Sequence, residues 1–204
     1  MPKGSPELTK SRRDEIIEAS MRLYEERIFK DITIKDISEA ITFARSNIYN
    51  YFQTKEEIFL AIFEEEYRKW NDDLEQIAQA HVTDRETLSD LLAKSLEKRK
   101  LMLKLLAVNL YDLEENSRME CLISFKKAYA ASRVHMFAIM KTCHPDLSDE
   151  QLMQKMLALL AFLHGIYPYC YATEKQSAAM KAAGIETKAQ KIYNLAYAGL
   201  KELI

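Results

Sequence analysis

The chain has few of the residues that β-structure and sharp turns require. It contains four glycines and four prolines in 204 residues, and residues 7–144 contain neither. Two-residue hairpins and strand bulges usually depend on glycine, so the composition argues against a β-sheet in this stretch. Because 48% of the residues are hydrophobic, the chain can bury a substantial core and form one or two domains. We therefore expect an all-α protein.

Cysteine, excess charge and long apolar runs are also scarce. Cys121, Cys143 and Cys170 are an odd, sparse set, unlike the disulfide framework of a secreted domain. The N-terminus lacks the apolar core of a signal peptide, and the richest apolar run, residues 156–163, is far shorter than a membrane span. The net charge of −2 excludes indiscriminate coating of nucleic acid. We expect a cytoplasmic protein with no membrane partner.

The sequence does contain a pattern of short amphipathic helices in residues 33–59. Thr33 and Asp36 form a variant of the capping box, which predicts that a helix starts there. Apolar residues then recur at spacings of three and four, at Ile34, Ile37 and Ile41. This spacing predicts one buried helix face, which ends at a break near residues 42–44.

A second helix follows the break and carries polar side chains on its outer surface. Ile48 and Phe52 lie four positions apart and face inward. The residues left outside are mostly hydrogen-bond donors, namely Arg45, Ser46, Asn47, Tyr49, Asn50 and Tyr51. A third helix begins at Thr54, which forms a cap with Glu57, and Lys55 occupies the first helical position. Free backbone amides and a cation at such a position can hold one phosphate.

These helices resemble the DNA-binding domain of the TetR-like (tetracycline-repressor-type) transcriptional regulators. The family pattern, roughly T-x-x-x-I-A-x-x-A-G-V-S-x-x-T-L-Y-x-x-F-x-x-K-x-x-L, fits without a gap, and its specific part is the spacing of Tyr49, Phe52 and Lys55. Thr42 replaces the usual Gly of the turn and Ala44 the usual Ser. Because a β-branched residue tolerates positive φ poorly, we expect a strained or differently shaped turn. Ala44 also removes a cap from the second helix.

The resemblance implies a homodimer that binds double-stranded DNA and responds to a small-molecule effector, more often as a repressor than as an activator. It divides the chain into a helix-turn-helix DNA-binding domain, residues 1–56, and a larger helical-bundle domain for ligand binding and dimerisation, residues 57–204. A long helix from Lys55 towards Ile77 would join them, since no breaker interrupts it. Further helices are predicted at residues 9–29, 84–98, 101–113 and 118–143.

In such a protein the second helix of the motif enters a major groove. The predicted DNA contacts are Thr33, Arg45, Ser46, Asn47, Tyr49, Asn50, Tyr51 and Lys55. The arginine and the asparagines of this set suit base edges, because Arg pairs with guanine and Asn with adenine. Thr33, Tyr49 and Lys55 suit phosphates, which fix the register without reading the sequence.

Two apolar helices near the C-terminus predict a dimer interface. Ser148 and Gln151 form a capping box that opens a helix to about Ile166, with apolar residues on nearly all sides. Residues 187–203 form a second helix kept thin by alanine and glycine. The predicted interface is Met153, Met156, Leu157, Leu160, Tyr193, Ala196, Tyr197 and Leu200. The alternative is that both helices pack within one domain.

The central helices carry the composition of a ligand pocket, an apolar lining with a few polar tips. The candidate lining residues are Phe63, Tyr67, Trp70, Met102, Leu106, Leu110, Tyr111, Phe125, Tyr129, Phe137, His164 and Tyr167. Aromatic residues at helical spacing are also typical of plain core, and this alternative stays open.

Metal and enzyme chemistry find little support in the sequence. His135, Cys143, His144 and His164 have no spacing that places two ligands on one helix face. The Glu-x-x-His pairs of di-iron bundles, a phosphate-binding glycine loop and a nucleophile elbow are missing from the sequence. We therefore predict neither a cofactor nor an enzyme. The competing hypothesis is a helical small-molecule-binding or interaction protein whose helix-turn-helix is only structural.

Overall fold

The computed structural model describes residues 5–108, 110–186 and 188–204. Within these ranges it contains helices and no strand, which confirms the predicted all-α class. The α-helices are α1 (Pro6–Glu26), α2 (Ile34–Glu39), α3 (Lys55–Gln79), α4 (Arg85–Glu97), α5 (Lys100–Val108), α6 (Leu110–Glu115), α7 (Met119–Cys143), α8 (Asp149–Cys170), α9 (Glu174–Ala182) and α10 (Ile192–Leu203). Two short 3₁₀ helices, Phe29–Asp31 and Arg45–Asn50, lie on either side of α2.

The helices form two compact units. The first contains the described residues of Met1–Glu65 and Asn109–Lys127, and the second those of Glu66–Val108 and Ala128–Ile204. A segment far along the chain, including α6 and the start of α7, is therefore part of the same unit as the helix-turn-helix.

Aromatic rings fill the core of the first unit. The ring of Phe59 meets the rings of Tyr24 and Phe29 edge to face, at centroid distances of 5.1 and 5.0 Å. Phe63 stacks on Phe125 at 4.8 Å. Such pairs add roughly 0.5–1.5 kcal/mol each to the gain from burial. They anchor α1, the first 3₁₀ helix and α7 on one face of α3.

The long helix predicted from Lys55 towards Ile77 is present as α3. It continues to Gln79 because the sequence offers no breaker, and it ends where His81 takes a positive φ of 47°. A left-handed residue at this position stops a helix.

In the second unit, α10 packs against α4 and α8, and α5 packs against α8. Gly199 makes the contact with α8 possible, because a Cβ at this position would lie 2.2 Å from the Phe162 ring. The indole of Trp70 is buried and donates to Ser95 Oγ at 3.1 Å. Arg99, in the turn between α4 and α5, binds Asp73 of α3 at 2.6 Å.

The end of the chain differs from the prediction. The helix α8 runs through Pro168 to Cys170, past the expected end at Ile166. The unpredicted helix α9 follows, and the sequence signal for it was the capping box of Thr173 and Gln176. The predicted helix at residues 187–203 starts only at Ile192, and Thr187 lies outside the described residues.

No single helix of the described ranges is both long and apolar enough to span a membrane. Together α8 and α9 have sufficient length and composition, but the two helices are bent by 81°.

Candidate DNA-binding site

The predicted capping box at the start of α2 is present. Thr33 N donates to Asp36 Oδ2 at 2.8 Å, and Asp36 N donates to Thr33 Oγ1 at 3.2 Å. The Thr33 hydroxyl also donates to the Asp36 carboxylate. This bond, with that from the Thr33 amide and with Arg27 at 3.0 Å, holds the pKa of Asp36 at about 2. Asp36 is therefore charged at neutral pH, and its carboxylate accepts the hydrogen bonds that fix the start of α2.

The polar segment after the turn is a 3₁₀ helix, Arg45–Asn50, where we expected an α-helix. Its N-cap residue is Ala44, whose methyl side chain cannot accept a hydrogen bond from the first turn. The shorter repeat is evident in the bond from Asn47 N to Ala44 O at 2.9 Å. We call residues 45–51 the recognition segment.

The recognition segment turns its apolar side inward, as predicted. Ile48 and Phe52 are buried in the first unit. The remaining side chains point outward to different extents: Arg45, Ser46, Tyr49 and Asn50 are exposed, and Asn47 and Tyr51 are half-buried. This strip combines a guanidinium, amides and hydroxyls, which are the groups that bind base edges and phosphates.

The turn before the recognition segment is differently shaped and not strained by a positive φ. Among the described residues the non-glycine with positive φ is His81, so Thr42 avoids the left-handed region. Its amide donates to Glu15 Oε1 at 2.5 Å and its hydroxyl donates to Glu15 Oε2 at 3.1 Å. No local pattern in the sequence indicates this role of Glu15, because the two residues lie 27 positions apart.

Lys55 has partners inside its own unit. Its Nζ donates to the carbonyl oxygens of Phe29 at 2.8 Å and Ile32 at 2.9 Å, and it lies 4.2 Å from the Phe29 ring centroid. These contacts close the loop that leads into α2. An ammonium has three N–H groups, so two carbonyls leave one donor for a phosphate.

Glu57 has a fully buried carboxylate in the first unit, and the sequence revealed its place in the cap of α3 but not its ion pair with Arg118. Its Oε2 accepts from Gln53 N at 2.7 Å, and Thr54 Oγ1 accepts from Glu57 N at 3.2 Å, which completes the predicted cap of α3. Arg118, at the start of α7, donates to Oε1 from Nε at 2.6 Å and to Oε2 from Nη2 at 2.9 Å. Burial raises the pKa of Glu57, but these hydrogen bonds outweigh burial and hold it below its ordinary value.

The predicted pocket residues are divided between the two units. Phe63, Leu110 and Phe125 belong to the first unit, and Phe63 and Phe125 stack on each other. In the second unit, Tyr67 meets Trp70 at 6.0 Å and Tyr129 at 5.6 Å. Also in the second unit, Met102 and Leu106 are buried, Phe137 and Tyr167 are half-buried, and His164 is exposed. Tyr111, in the first unit, is 87% exposed. Tyr111 and His164 therefore do not lie in an enclosed cavity in this structure.

The predicted dimer residues are also divided, between core and surface. Met156, Leu160, Ala196 and Leu200 are buried by their own chain. Tyr193 and Tyr197 donate to Asp90 at 2.7 Å and Glu86 at 2.9 Å, which ties α10 to α4. Met153 and Leu157 are exposed to 36% and 50%. The packing of α10 against α4 and α8 thus covers side chains that we had expected at a partner surface.

Comparison with known proteins places most of the chain in one family. The family described as "Bacterial regulatory proteins, tetR family" matches residues 16–62, and "Tetracyclin repressor-like, C-terminal domain" matches residues 64–189. The "Uncharacterized HTH-type transcriptional regulator YfiR" of Bacillus subtilis (strain 168) is 38% identical over 64 residues, 29% of this chain. That match spans 31% of the length of the relative.

Two solved structures share the fold. The fatty acid degradation regulator FadR of Bacillus halodurans has a TM-score of 0.62 at 16% identity, over 100% of this chain and 96% of the other. The regulator FadR of Bacillus subtilis, in complex with stearoyl-CoA, has a TM-score of 0.61 at 14% identity, over 93% and 96%.

A first prediction concerns Arg118, whose loss leaves a buried carboxylate without a counter-charge. Arg118→Met should lower the free energy of unfolding at pH 7 by about 3 kcal/mol, measured by urea denaturation. Because the pKa of Glu57 is lowered in the folded state, this deficit should be full above the ordinary carboxylate range and should shrink as pH falls through the folded pKa.

The matched control is Lys126→Met, which removes the partly exposed ion pair with Glu114 and should cost less than about 1 kcal/mol. Equal losses in the two variants would contradict the role of the Glu57 pair. In Glu57→Gln/Arg118→Met, part of the stability should return.

Proposed function

The chain belongs to the TetR family of bacterial regulatory proteins, and we propose that it acts as a homodimeric, ligand-responsive repressor on an inverted-repeat operator. Family membership makes it a transcriptional regulator and not an enzyme. The observation that supports the proposal best is the recognition segment, which exposes Arg45, Tyr49 and Asn50 while Ile48 anchors it in the core. Such an arrangement directs hydrogen-bonding groups outward from a segment that is anchored in the core.

We assign DNA binding to residues 1–56 and ligand binding with dimerisation to residues 57–204. The first compact unit is larger than that DNA-binding segment, because it also contains the start of α3 and residues from α6 and α7. In this assignment the loop before α7 takes part in supporting the DNA-binding residues through Arg118.

Within the recognition segment, Arg45, Asn47 and Asn50 read base edges, and Ser46 and Tyr51 bind nearby backbone. Tyr49 binds phosphate together with the remaining donor of Lys55. Thr33, the third predicted phosphate contact, uses its amide and hydroxyl donors on Asp36, so it has to release the carboxylate to join them. Because Lys55 already binds two carbonyl groups, its replacement would also loosen the loop before α2. Arg45 and Asn50 therefore allow a cleaner test.

The second prediction is that DNA selected from a random pool contains an inverted repeat. Two symmetry-related recognition segments should read half-sites about one helical turn apart, roughly 34–36 Å, or a multiple of it. Arg45→Ala and Asn50→Ala should each relax the preference at one base pair per half-site, by roughly 1–3 kcal/mol.

The matched control is Lys35→Ala, because Lys35 is an exposed cation on α2 that pairs with Glu39. It should keep the sequence preference. A consensus without a repeat would argue against a two-fold dimer, and failure to enrich any sequence would favour a structural role for the helix-turn-helix.

The dimer in this proposal forms through one face of α8. Met153, Leu157, Ala161 and His164 are exposed, and their spacings of four, four and three place them on one side of the helix. A two-fold interface pairs this face with itself, so its larger residues at one end meet the opposite end of the partner face. Ala161, near the middle, allows two α8 helices to approach closely.

The third prediction is that Leu157→Glu dissociates the dimer and leaves the helix content unchanged, since Leu157 is 50% exposed in the single chain. Sedimentation equilibrium and circular dichroism measure the two effects. Substitution of the buried Leu160 or Leu200 by Asp would be less informative, because a charge in the chain's own core unfolds it.

Met119→Glu is the matched control, because Met119 is a large apolar residue, 65% exposed, that lies on α7 and in the first unit. It should remain a dimer. If Leu157→Glu kept the dimer mass as well, the interface would lie elsewhere.

The effector in this proposal is a small molecule that binds among the apolar residues of the ligand-binding domain. In the second unit the ring of Tyr67 contacts the rings of Trp70 and Tyr129, so a ligand has to separate these pairs or select a conformation in which they are apart. Binding then shifts the protein between two populations that differ in DNA affinity.

The fourth prediction uses stearoyl-CoA, the ligand in the Bacillus subtilis structure, as the first probe. Trp70 is the single tryptophan of the chain and is buried, so its fluorescence reports on this interior. Stearoyl-CoA should change the emission saturably and release DNA without dissociating the dimer, whereas coenzyme A without an acyl chain should do neither. Unchanged emission and retained DNA with both probes would exclude a long-chain acyl effector.

A further inference from the structure

The turn of the helix-turn-helix is supported by a carboxylate from another helix. Glu15 lies on α1, 27 positions before Thr42, and each of its carboxylate oxygens accepts one hydrogen bond from Thr42. One comes from the backbone amide at 2.5 Å and the other from the hydroxyl at 3.1 Å. Both go to a carboxylate, and such charge-assisted bonds are stronger than bonds between neutral groups; of the two, the amide bond is the short one.

Thr42 has no hydrogen-bond acceptor within α2. The last hydrogen bond of α2 is donated by Ala40, its C-cap residue, to Ile37 O at 3.1 Å. Thr42 lies two residues beyond, outside the helix. Its side chain disfavours the positive φ that glycine would take, and Ala44 offers no side-chain acceptor. The N–H and the hydroxyl of Thr42 therefore have no acceptor within α2, and Glu15 supplies one for each.

Neighbouring side chains of α1 contact the same region. The guanidinium of Arg12 lies 5.4 Å from the centroid of the Phe43 ring, next to Thr42. Arg13 lies 5.4 Å from the ring of Phe52, just beyond the recognition segment. Thus α1 contacts the chain before and after the recognition segment, and Glu15 makes the directional hydrogen bonds of this set.

We propose that Glu15 is a positioning residue for DNA recognition. By binding Thr42 it sets the shape of the turn and hence the orientation in which the recognition segment meets base edges. The inference rests on the proposed DNA binding and adds a residue outside the helix-turn-helix that determines specificity.

The sign of the effect on DNA affinity separates positioning from charge. Removal of a carboxylate close to DNA should, by charge alone, strengthen binding to every sequence. Loss of positioning should weaken binding to the selected operator only. Glu18 provides the matched control, because it is an exposed carboxylate three residues further along α1.

The experiment compares affinities for the selected operator and for a scrambled duplex at one salt concentration. Glu15→Ala should weaken operator binding about tenfold, the factor that a lost charge-assisted bond is worth, and should not weaken binding to the scrambled duplex. Glu15→Gln should fall between wild type and Ala, because an amide oxygen still accepts from one donor. Glu18→Ala should bind both duplexes as wild type does, or slightly tighter.

A double mutant tests whether Glu15 acts through Thr42. Thr42→Gly removes the hydroxyl bond and the steric penalty of positive φ, so the turn can adopt the conformation usual for glycine, which does not depend on the carboxylate. In the Thr42→Gly background, Glu15→Ala should therefore change operator affinity less than about twofold, a coupling that two independent sites would not show.

Three results would overturn the inference: equal effects of Glu15→Ala and Glu18→Ala, a tenfold loss that persists in the Thr42→Gly background, or equal weakening on both duplexes. If Glu15→Ala does not fold, Glu15→Gln and the Thr42 amide proton shift, which moves upfield when a charged acceptor is lost, decide the question. If wild type selects no operator, the proposed function fails, and the amide shift still tests the contact itself.

Discussion

The architecture of the first unit depends on the hydrogen bonds and the ion pair of the buried Glu57 carboxylate. It accepts from the backbone amide of Gln53, which follows the recognition segment, and from the amide and guanidinium of Arg118. Burying a charged carboxylate costs free energy unless hydrogen-bond donors surround it. Here the donors come from the residues just before α3 and just before α7. The bond from Thr54 Oγ1 to Asn116 O, at 3.0 Å, adds a second link between the same two segments. The described residues of 1–65 and 109–127 thereby form one compact unit, although residues 66–108 separate them in the chain.

The recognition segment depends on its surroundings more than on its own helix propensity. It is six residues of 3₁₀ helix without a capping side chain, too short to be stable alone. Ile48 anchors it in the core, Glu15 binds the turn before it, and Arg13 lies beside Phe52 just after it. A segment supported in this way changes orientation when its supports change, a property that suits the proposed role in regulated DNA binding.

The two C-terminal helices show how packing within one chain limits the surface left for a partner. The apolar side of α10 is occupied by α4 and α8, with Gly199 against Phe162 and the tyrosine hydroxyls bound to Glu86 and Asp90. The outer face of α8, from Met153 to His164, remains exposed. The short helix α9 is exposed apart from the half-buried Met180. Helical periodicity predicts which residues form an apolar face. It does not predict which of these residues a neighbouring helix of the same chain covers.

The sequence by itself determined the helical class, the family, the long helix α3, and the capped helix starts at Thr33, Thr54 and Ser148, because periodicity and capping act over three or four residues. It also indicated the inward direction of Ile48 and Phe52. Only the tertiary structure decided that Glu57 pairs with Arg118, that Glu15 binds Thr42, that the recognition segment is a 3₁₀ helix, and which α8 residues stay exposed. These features join residues far apart in the chain or depend on how neighbouring helices pack. A pattern that spans three or four residues predicts neither.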